Sequence, residues 1–158
     1  MTMNKNKIKI GVVGLGTVGS GVINLLEKNK AEIEKRSGFS IEVTCVSAAN
    51  KDKKRDCDVS NLKFYNDPLE MIELEDIDII VELMGGESLA KDIVLKALEK
   101  KIHVVTANKA LIALHGNEIS KIAENNKCDV AYEASVAGAV PIIKVIRESL
   151  NANIIHWV

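Results

Sequence analysis

The run Ile8-Lys9-Ile10-Gly11-Val12-Val13 leads directly into Gly14-Leu15-Gly16-Thr17-Val18-Gly19-Ser20-Gly21, an apolar stretch that ends in a G-x-G-x-x-G spacing. Few structures accept that pattern: a strand, a tight turn and a helix entered at once. Each glycine has a separate task. Gly14 lets the chain turn off the strand, Gly16 lets a pyrophosphate come against bare backbone, and Gly19 lets the helix pack closely on the strand. A helix starting here also offers unpaired N–H groups and the positive end of its dipole to a phosphate. Gly14, Leu15, Gly16, Thr17, Val18 and Gly19 are therefore candidate cofactor-binding residues. The alternative is a structural strand–helix turn with no ligand.

The rest of the chain supplies the frame that such a turn needs. Its 158 residues are one domain's worth of chain, and 47% hydrophobic with 27% charged residues is ordinary for a globular protein. A formal net charge of −1 gives no electrostatic case for nucleic acid or an anionic membrane, and 3% aromatic residues argue against a base-stacking surface. No apolar run approaches a membrane span. Cys45, Cys57 and Cys128 are scattered and odd in number, which fits a reducing cytoplasm better than a disulfide framework.

Beyond the glycine turn, Val22, Leu25, Leu26 and Ile33 recur at helical spacing, and Ser37-Gly38 closes that helix. A second strand is expected over Ile41–Val46 and a short one over Val59–Tyr65. Asp67 and Pro68 open a short helix, proline taking the first helical position. Ile77–Leu83 is almost wholly apolar and reads as a strand buried on both faces, ending in Met84-Gly85-Gly86. A helix with a Leu89, Ile93 and Ala97 stripe, a strand at Ile102–Val105, a helix with Ile119, Ile122 and Ala123, and a strand at Asp129–Tyr132 follow. A last helix carries Ile142, Val145, Ile146 and Leu150. This alternation predicts an α/β protein: a Rossmann-like, doubly wound, mostly parallel sheet with helices on both faces. Asn153–Val158 read as the opening of a further strand, so 1–152 is expected to be the domain and 153–158 the start of a connection to a second one.

Ligands in such sheets bind at the carboxyl ends of the strands. The second strand ends in Ser47-Ala48-Ala49-Asn50 without a carboxylate to hold a ribose 2′-hydroxyl, and Lys51, Lys53, Lys54 and Arg55 follow at once. That leans toward NADP over NAD, against the alternative of a solvated charged loop. Lys109 follows a buried strand at the ligand edge, where it suits a substrate oxygen or a proton transfer if burial tunes it. The plain alternative is a solvent-facing lysine. Glu133 emerges into a loop of small residues, a setting for an oxygen cage around a hard cation or for a loop acid bonded to backbone N–H groups. His103 reads as structural and His115 as capping a loop before Gly116; neither zinc nor a covalent nucleophile is expected.

Four segments together resemble homoserine dehydrogenase: Gly14–Val22, Val81–Gly86, Val104–Ala113 and Tyr132–Ile143. The last two, in this order and spacing, are the specific ones. The resemblance implies the cofactor domain of an enzyme that interconverts L-homoserine and L-aspartate 4-semialdehyde with NAD or NADP, on the route to threonine, methionine and isoleucine. It places Met84, Gly85, Thr106 and Ala107 along the ribose and nicotinamide, and Lys109 beside the nicotinamide as the catalytic candidate. It makes Glu133, Val136, Gly138 and Val140 a monovalent cation site, sodium by expectation. It also implies a cytoplasmic homodimer whose substrate pocket and further catalytic groups come from another domain, so this stretch alone should turn over little substrate. Two departures stand out: the family often has glycine where Ala139 stands, and the second strand's tip lacks the arginine or acid of many members. Another semialdehyde-type dehydrogenase, or a stand-alone dinucleotide sensor, are the competing readings.

Overall fold

The computed structural model describes residues 7–150 together with Ala152 and Ile154. Six strands form one sheet: β1 (Lys7–Val13), β2 (Ser40–Ser47), β3 (Lys63–Tyr65), β4 (Ile79–Glu82), β5 (His103–Thr106) and β6 (Val130–Ala131). Their order is β3-β2-β1-β4-β5-β6, and every neighbouring pair is parallel. Parallel neighbours require crossovers, and helices lie in all of them but the β2–β3 connection: α1 (Thr17–Lys28), α2 (Lys30–Ser37), α3 (Pro68–Leu74), α4 (Ser88–Glu99) and α5 (Lys109–Asn126). Short α6 (Glu133–Val136) and α7 (Ile142–Lys144) follow, the latter running into a π-helical turn over Val145–Ser149. The direction of winding reverses between β1 and β4, which opens a crevice at their carboxyl ends.

Two apolar layers hold this sheet. On one face Met71, Ile72, Ile93, Leu98, Leu111 and Ile119 from α3, α4 and α5 cover Val13, Ile80 and Val104. On the other, Leu15 and Ile23 pack with Ile10, Val12, Val46 and Val81. Helices on both faces were the expectation, and the sheet has them. Among the described residues no helix is long and apolar enough to cross a membrane.

The elements differ from expectation where local chemistry intervenes. The first helix breaks at Asn29, whose φ of −105° and ψ of 14° leave the helical range, and α2 beyond it buries nothing. Gly38 does close α2, at a φ of +76° with its N–H on the Glu34 carbonyl. The buried face of α1 is Gly19, Ser20 and Ile23, while Leu25 is 56% exposed. Gly19 must face β1 for the turn to close, so Ile23, four residues on, follows it inward and Leu25 is rotated out. Leu89 is likewise exposed, and α4 packs through Ala90, Ile93, Val94, Ala97 and Leu98. No loop occurs at His115-Gly116; α5 runs through both. The strand expected over 59–65 is only Lys63–Tyr65, and the final helix is the short α7 and its π turn, with no buried residue. The strand expected over 153–158 lies outside the described residues apart from Ile154.

Candidate functional site

The glycine turn joins three strands' carboxyl ends. Gly14, at a φ of +92°, donates its N–H to the Ser47 carbonyl of β2 at 2.9 Å, and a Cβ on it would stand 2.7 Å from the Leu83 carbonyl oxygen beyond β4. A Cβ on Gly19 would fall 2.0 Å from the Gly14 carbonyl oxygen, so α1 can approach this closely only through glycine. Gly16 is different: a Cβ there would meet nothing within 4 Å. Two glycines are thus required by the protein's own packing, whereas Gly16 leaves its space to something else. The first helical bond is Ser20 N–H to Gly16 carbonyl at 2.9 Å, so the N–H groups of Thr17, Val18 and Gly19 precede the ladder. No side chain caps α1 and no acid stands in its first turn, which leaves those donors and the helix dipole to an anion.

In front of the turn lies a cleft of about 560 Å³, walled by Gly14 and Gly16, by Asn50, Lys53 and Arg55 after β2, and by Met84 after β4. Arg55 shapes one side of it. Its guanidinium donates to the carbonyls of Asn50, Lys51 and Lys53 and lies 5.4 Å from the centroid of the Phe64 ring. This arginine folds residues 50–55 around itself in place of a helix between β2 and β3. Its Nε is buried without a hydrogen-bond partner.

The opposite wall rests on a side chain that the sequence reading passed over. Glu82, the last residue of β4, is fully buried and accepts the Met84 N–H at 2.7 Å and the Thr106 hydroxyl at 2.5 Å. Thr106 in turn accepts the Asn108 N–H at 3.0 Å, and its carbonyl accepts the Ser135 hydroxyl at 2.8 Å. Asn108 caps α5 through the Leu111 N–H at 3.0 Å and donates to the Gly86 carbonyl at 2.6 Å. One polar chain therefore ties the Met84–Gly86 turn, the end of β5 and the start of α5 together. Burial pushes the Glu82 carboxyl above the usual carboxylate range, and hydrogen bonds from Thr106, Met84 and Asn108 pull it part of the way back. An acid near the end of the otherwise apolar run Ile79–Leu83 was the available signal.

The sequence-predicted residues distribute as follows. Gly14, Leu15, Gly16, Met84 and Gly85 share the cleft wall, and Thr17, Val18 and Gly19 form the helix start beside it. Thr106 is buried, and Ala107 donates its N–H to the Glu82 carbonyl at 3.2 Å. Lys109, the first residue of α5, is exposed. Glu133 turns toward its own chain: its carboxylate accepts the N–H groups of Ile143 at 3.1 Å and Lys144 at 2.6 Å, capping α7. Val136, Gly138 and Val140 are exposed around that loop, and the Val140 carbonyl accepts the Ile142 N–H at 2.8 Å. Ala139 sits at a φ of +67°, the conformation in which glycine costs least. His103 accepts the Asp129 N–H through Nδ1 at 3.0 Å, a structural contact. Among the described residues no group of three or more His, Cys, Asp or Glu gathers around a point that could hold a metal ion.

Sheet order, an open glycine facing the crevice and a bare helix start together define a dinucleotide-binding α/β domain. The family model described as "Homoserine dehydrogenase, NAD binding domain" matches residues 14–133. The chain belongs to the homoserine dehydrogenase family, as its NAD-binding domain. It is 49% identical over 150 residues to the homoserine dehydrogenase of Pseudomonas aeruginosa, covering 95% of this chain and 34% of that protein. With the Neisseria gonorrhoeae enzyme it shares 45% over 146 residues, 92% of this chain and 33% of that one. A crystal structure of homoserine dehydrogenase from Thiobacillus denitrificans superposes with a TM-score of 0.83 at 41% identity, over 93% of this chain and 34% of that one. The chain spans about a third of the length of the curated relatives it matches.

Proposed function

We propose that this chain holds NAD(P) in the cleft before Gly14–Gly19 and forms the cofactor-binding part of an enzyme that interconverts L-homoserine and L-aspartate 4-semialdehyde. The observation that carries the reading is the contrast among the glycines. Gly14 and Gly19 are filled by the protein itself, and of the three G-x-G-x-x-G glycines Gly16 alone faces open space, at a helix start rich in free donors. When bound, the cofactor supplies hydride chemistry at its nicotinamide. The chain's own residues do the rest: the turn fixes the pyrophosphate, and Met84, Gly85, Thr106 and Ala107 border the ribose and nicotinamide. Lys109, free in solvent at the edge of the crevice, orients the substrate hydroxyl and exchanges its proton.

Preference for NADP belongs to this reading. Its support is the absence of a carboxylate over Ser47–Asn50 and the presence of Lys53 and Arg55 in the cleft wall. A sodium ion at Glu133, Val136, Gly138 and Val140 comes from the family resemblance. In this chain the Glu133 carboxylate caps α7 and the Val140 carbonyl holds Ile142, so the geometry itself offers a cation no empty cage. The whole enzyme is proposed to be a cytoplasmic homodimer acting on a small molecule, with neither nucleic acid nor membrane as partner, and this chain alone to have little turnover.

Isothermal calorimetry with NADPH and NADH on the purified chain tests the proposal. Saturable binding with NADPH tighter by about tenfold, roughly 1.4 kcal/mol, is the expected result. Binding of neither by folded protein overturns the cofactor reading, and tighter NADH overturns the preference.

A further inference from the structure

Glu82 is the only charged residue fully buried among those described, and its environment is unusual. Both carboxylate oxygens accept donors, the Met84 N–H and the Thr106 hydroxyl, while the Thr106 oxygen is already an acceptor for the Asn108 N–H. Thr106 thus has its hydroxyl hydrogen free to donate, and an ionised carboxylate can accept from both neighbours. No cationic side chain among the described residues pairs with it: hydrogen bonds alone work against the cost of its burial. Met84, whose N–H it holds, is itself a wall of the cleft. When ionised, Glu82 puts a negative charge without a cationic partner among the described residues just behind the surface on the β4–β5 side.

Given the reading of the cleft as an NAD(P) site with its nicotinamide on that side, the charge has a consequence for ligand choice. The oxidised nicotinamide ring is a cation and the reduced ring is neutral; the two forms are otherwise nearly the same shape. We infer that Glu82 is a specificity-determining residue that favours the oxidised dinucleotide over the reduced one. Across one residue's thickness of protein, a full charge at an intermediate effective dielectric shifts the ratio of the two affinities by about five- to tenfold. The same carboxylate also positions the Met84–Gly86 turn and, through Thr106 and Asn108, the start of α5, but that role acts on both redox forms alike.

The two roles separate by calorimetry with NADP⁺ and NADPH at pH 8 on the wild-type chain, Glu82→Gln and Glu82→Asp. Glu82→Gln keeps the shape and removes the charge; it is expected to weaken NADP⁺ about five- to tenfold relative to NADPH. Glu82→Asp keeps the charge on a shorter arm; it is expected to weaken both forms and leave their ratio at the wild-type value. Equal weakening of both forms in Glu82→Gln, or a ratio in Glu82→Asp that moves with it, overturns the inference and leaves the cofactor site standing. A folded wild type that binds neither form removes the cofactor reading and this inference with it. If circular dichroism shows Glu82→Gln unfolded, Thr106→Val serves instead. Without its hydroxyl donor the carboxylate shifts toward its neutral form, so the ratio should fall; an unchanged ratio in that folded variant overturns the inference.

Discussion

Gly16 and Gly19 look interchangeable in the motif, but the space in front of each assigns them opposite liabilities. An alanine at 19 would press its methyl into the Gly14 carbonyl, where a Cβ falls at 2.0 Å, and α1 would have to move off the sheet. An alanine at 16 meets nothing within 4 Å, and the local φ of −79° suits any residue. Gly19→Ala is therefore expected to destabilise the fold by at least about 3 kcal/mol, at the upper end for a point change. Gly16→Ala should change stability by less than about 1 kcal/mol and yet abolish saturable NADPH binding. Thermal melts alongside calorimetry read both. A Gly16→Ala chain that binds as wild type would mean that the pyrophosphate does not pass there. At this scale the spacing of the glycines disclosed the turn. Glu82 stayed hidden because one acid in an apolar run looks the same whether it is solvated at a strand end or buried beneath a turn; only three-dimensional placement of Thr106 and Met84 distinguishes the two.

Helix α1 shows why periodicity locates an element more reliably than it orients one. Val22, Leu25 and Leu26 form an apolar stripe in sequence, and so do Gly19, Ile23 and Leu26; hydrophobicity alone favours the first. Close packing at the glycine turn selects the second, burying Ile23 and leaving Leu25 56% exposed. Ile23→Ala is accordingly expected to cost about 2–4 kcal/mol, and Leu25→Ala no more than about 0.5 kcal/mol, in urea titrations. Comparable losses at both positions would restore the orientation suggested by the stripe. The alternation of strands and helices, and with it the parallel sheet, was legible because buried parallel strands and amphipathic helices write different periods into the chain. The connection from β2 to β3 was not legible: Arg55 organises it through backbone carbonyls and the Phe64 ring, contacts that leave no periodic trace. Nor was the continuity of α5 across Gly116, since a lone glycine in a helix is a tolerated cost rather than a stop signal.

Over the whole molecule, carboxylates of two kinds set the dependence of stability on pH, and they act in opposite directions. Glu73 is held below the usual range by hydrogen bonds from Lys100 and Lys96, and Glu118 by Lys91. Burial opposes the same shift at Glu75, but the Tyr65 hydroxyl and Lys63 together outweigh it. Groups depressed on folding contribute stability above their unfolded pKa, about 4.3 for glutamate, and that contribution is lost as pH falls through the folded values. Glu82 is raised on folding, chiefly by desolvation, so its contribution is complete below the unfolded pKa and is lost as pH rises through the folded value. Acid therefore weakens the surface pairs while it relieves the buried charge. Glu82→Gln does not titrate, which isolates the second effect from the first. Measured by urea unfolding at pH 4 and pH 8, the stability of Glu82→Gln relative to wild type should move in the variant's favour at the higher pH. The lost hydrogen-bond geometry at Met84 and Thr106 is the same at both pH values and cancels from the comparison. A gap that stays constant between them would mean that Glu82 does not change protonation in that interval on folding. A gap that widens against the variant would mean that its ionised form is stabilised by the fold, contrary to the desolvation that dominates its surroundings.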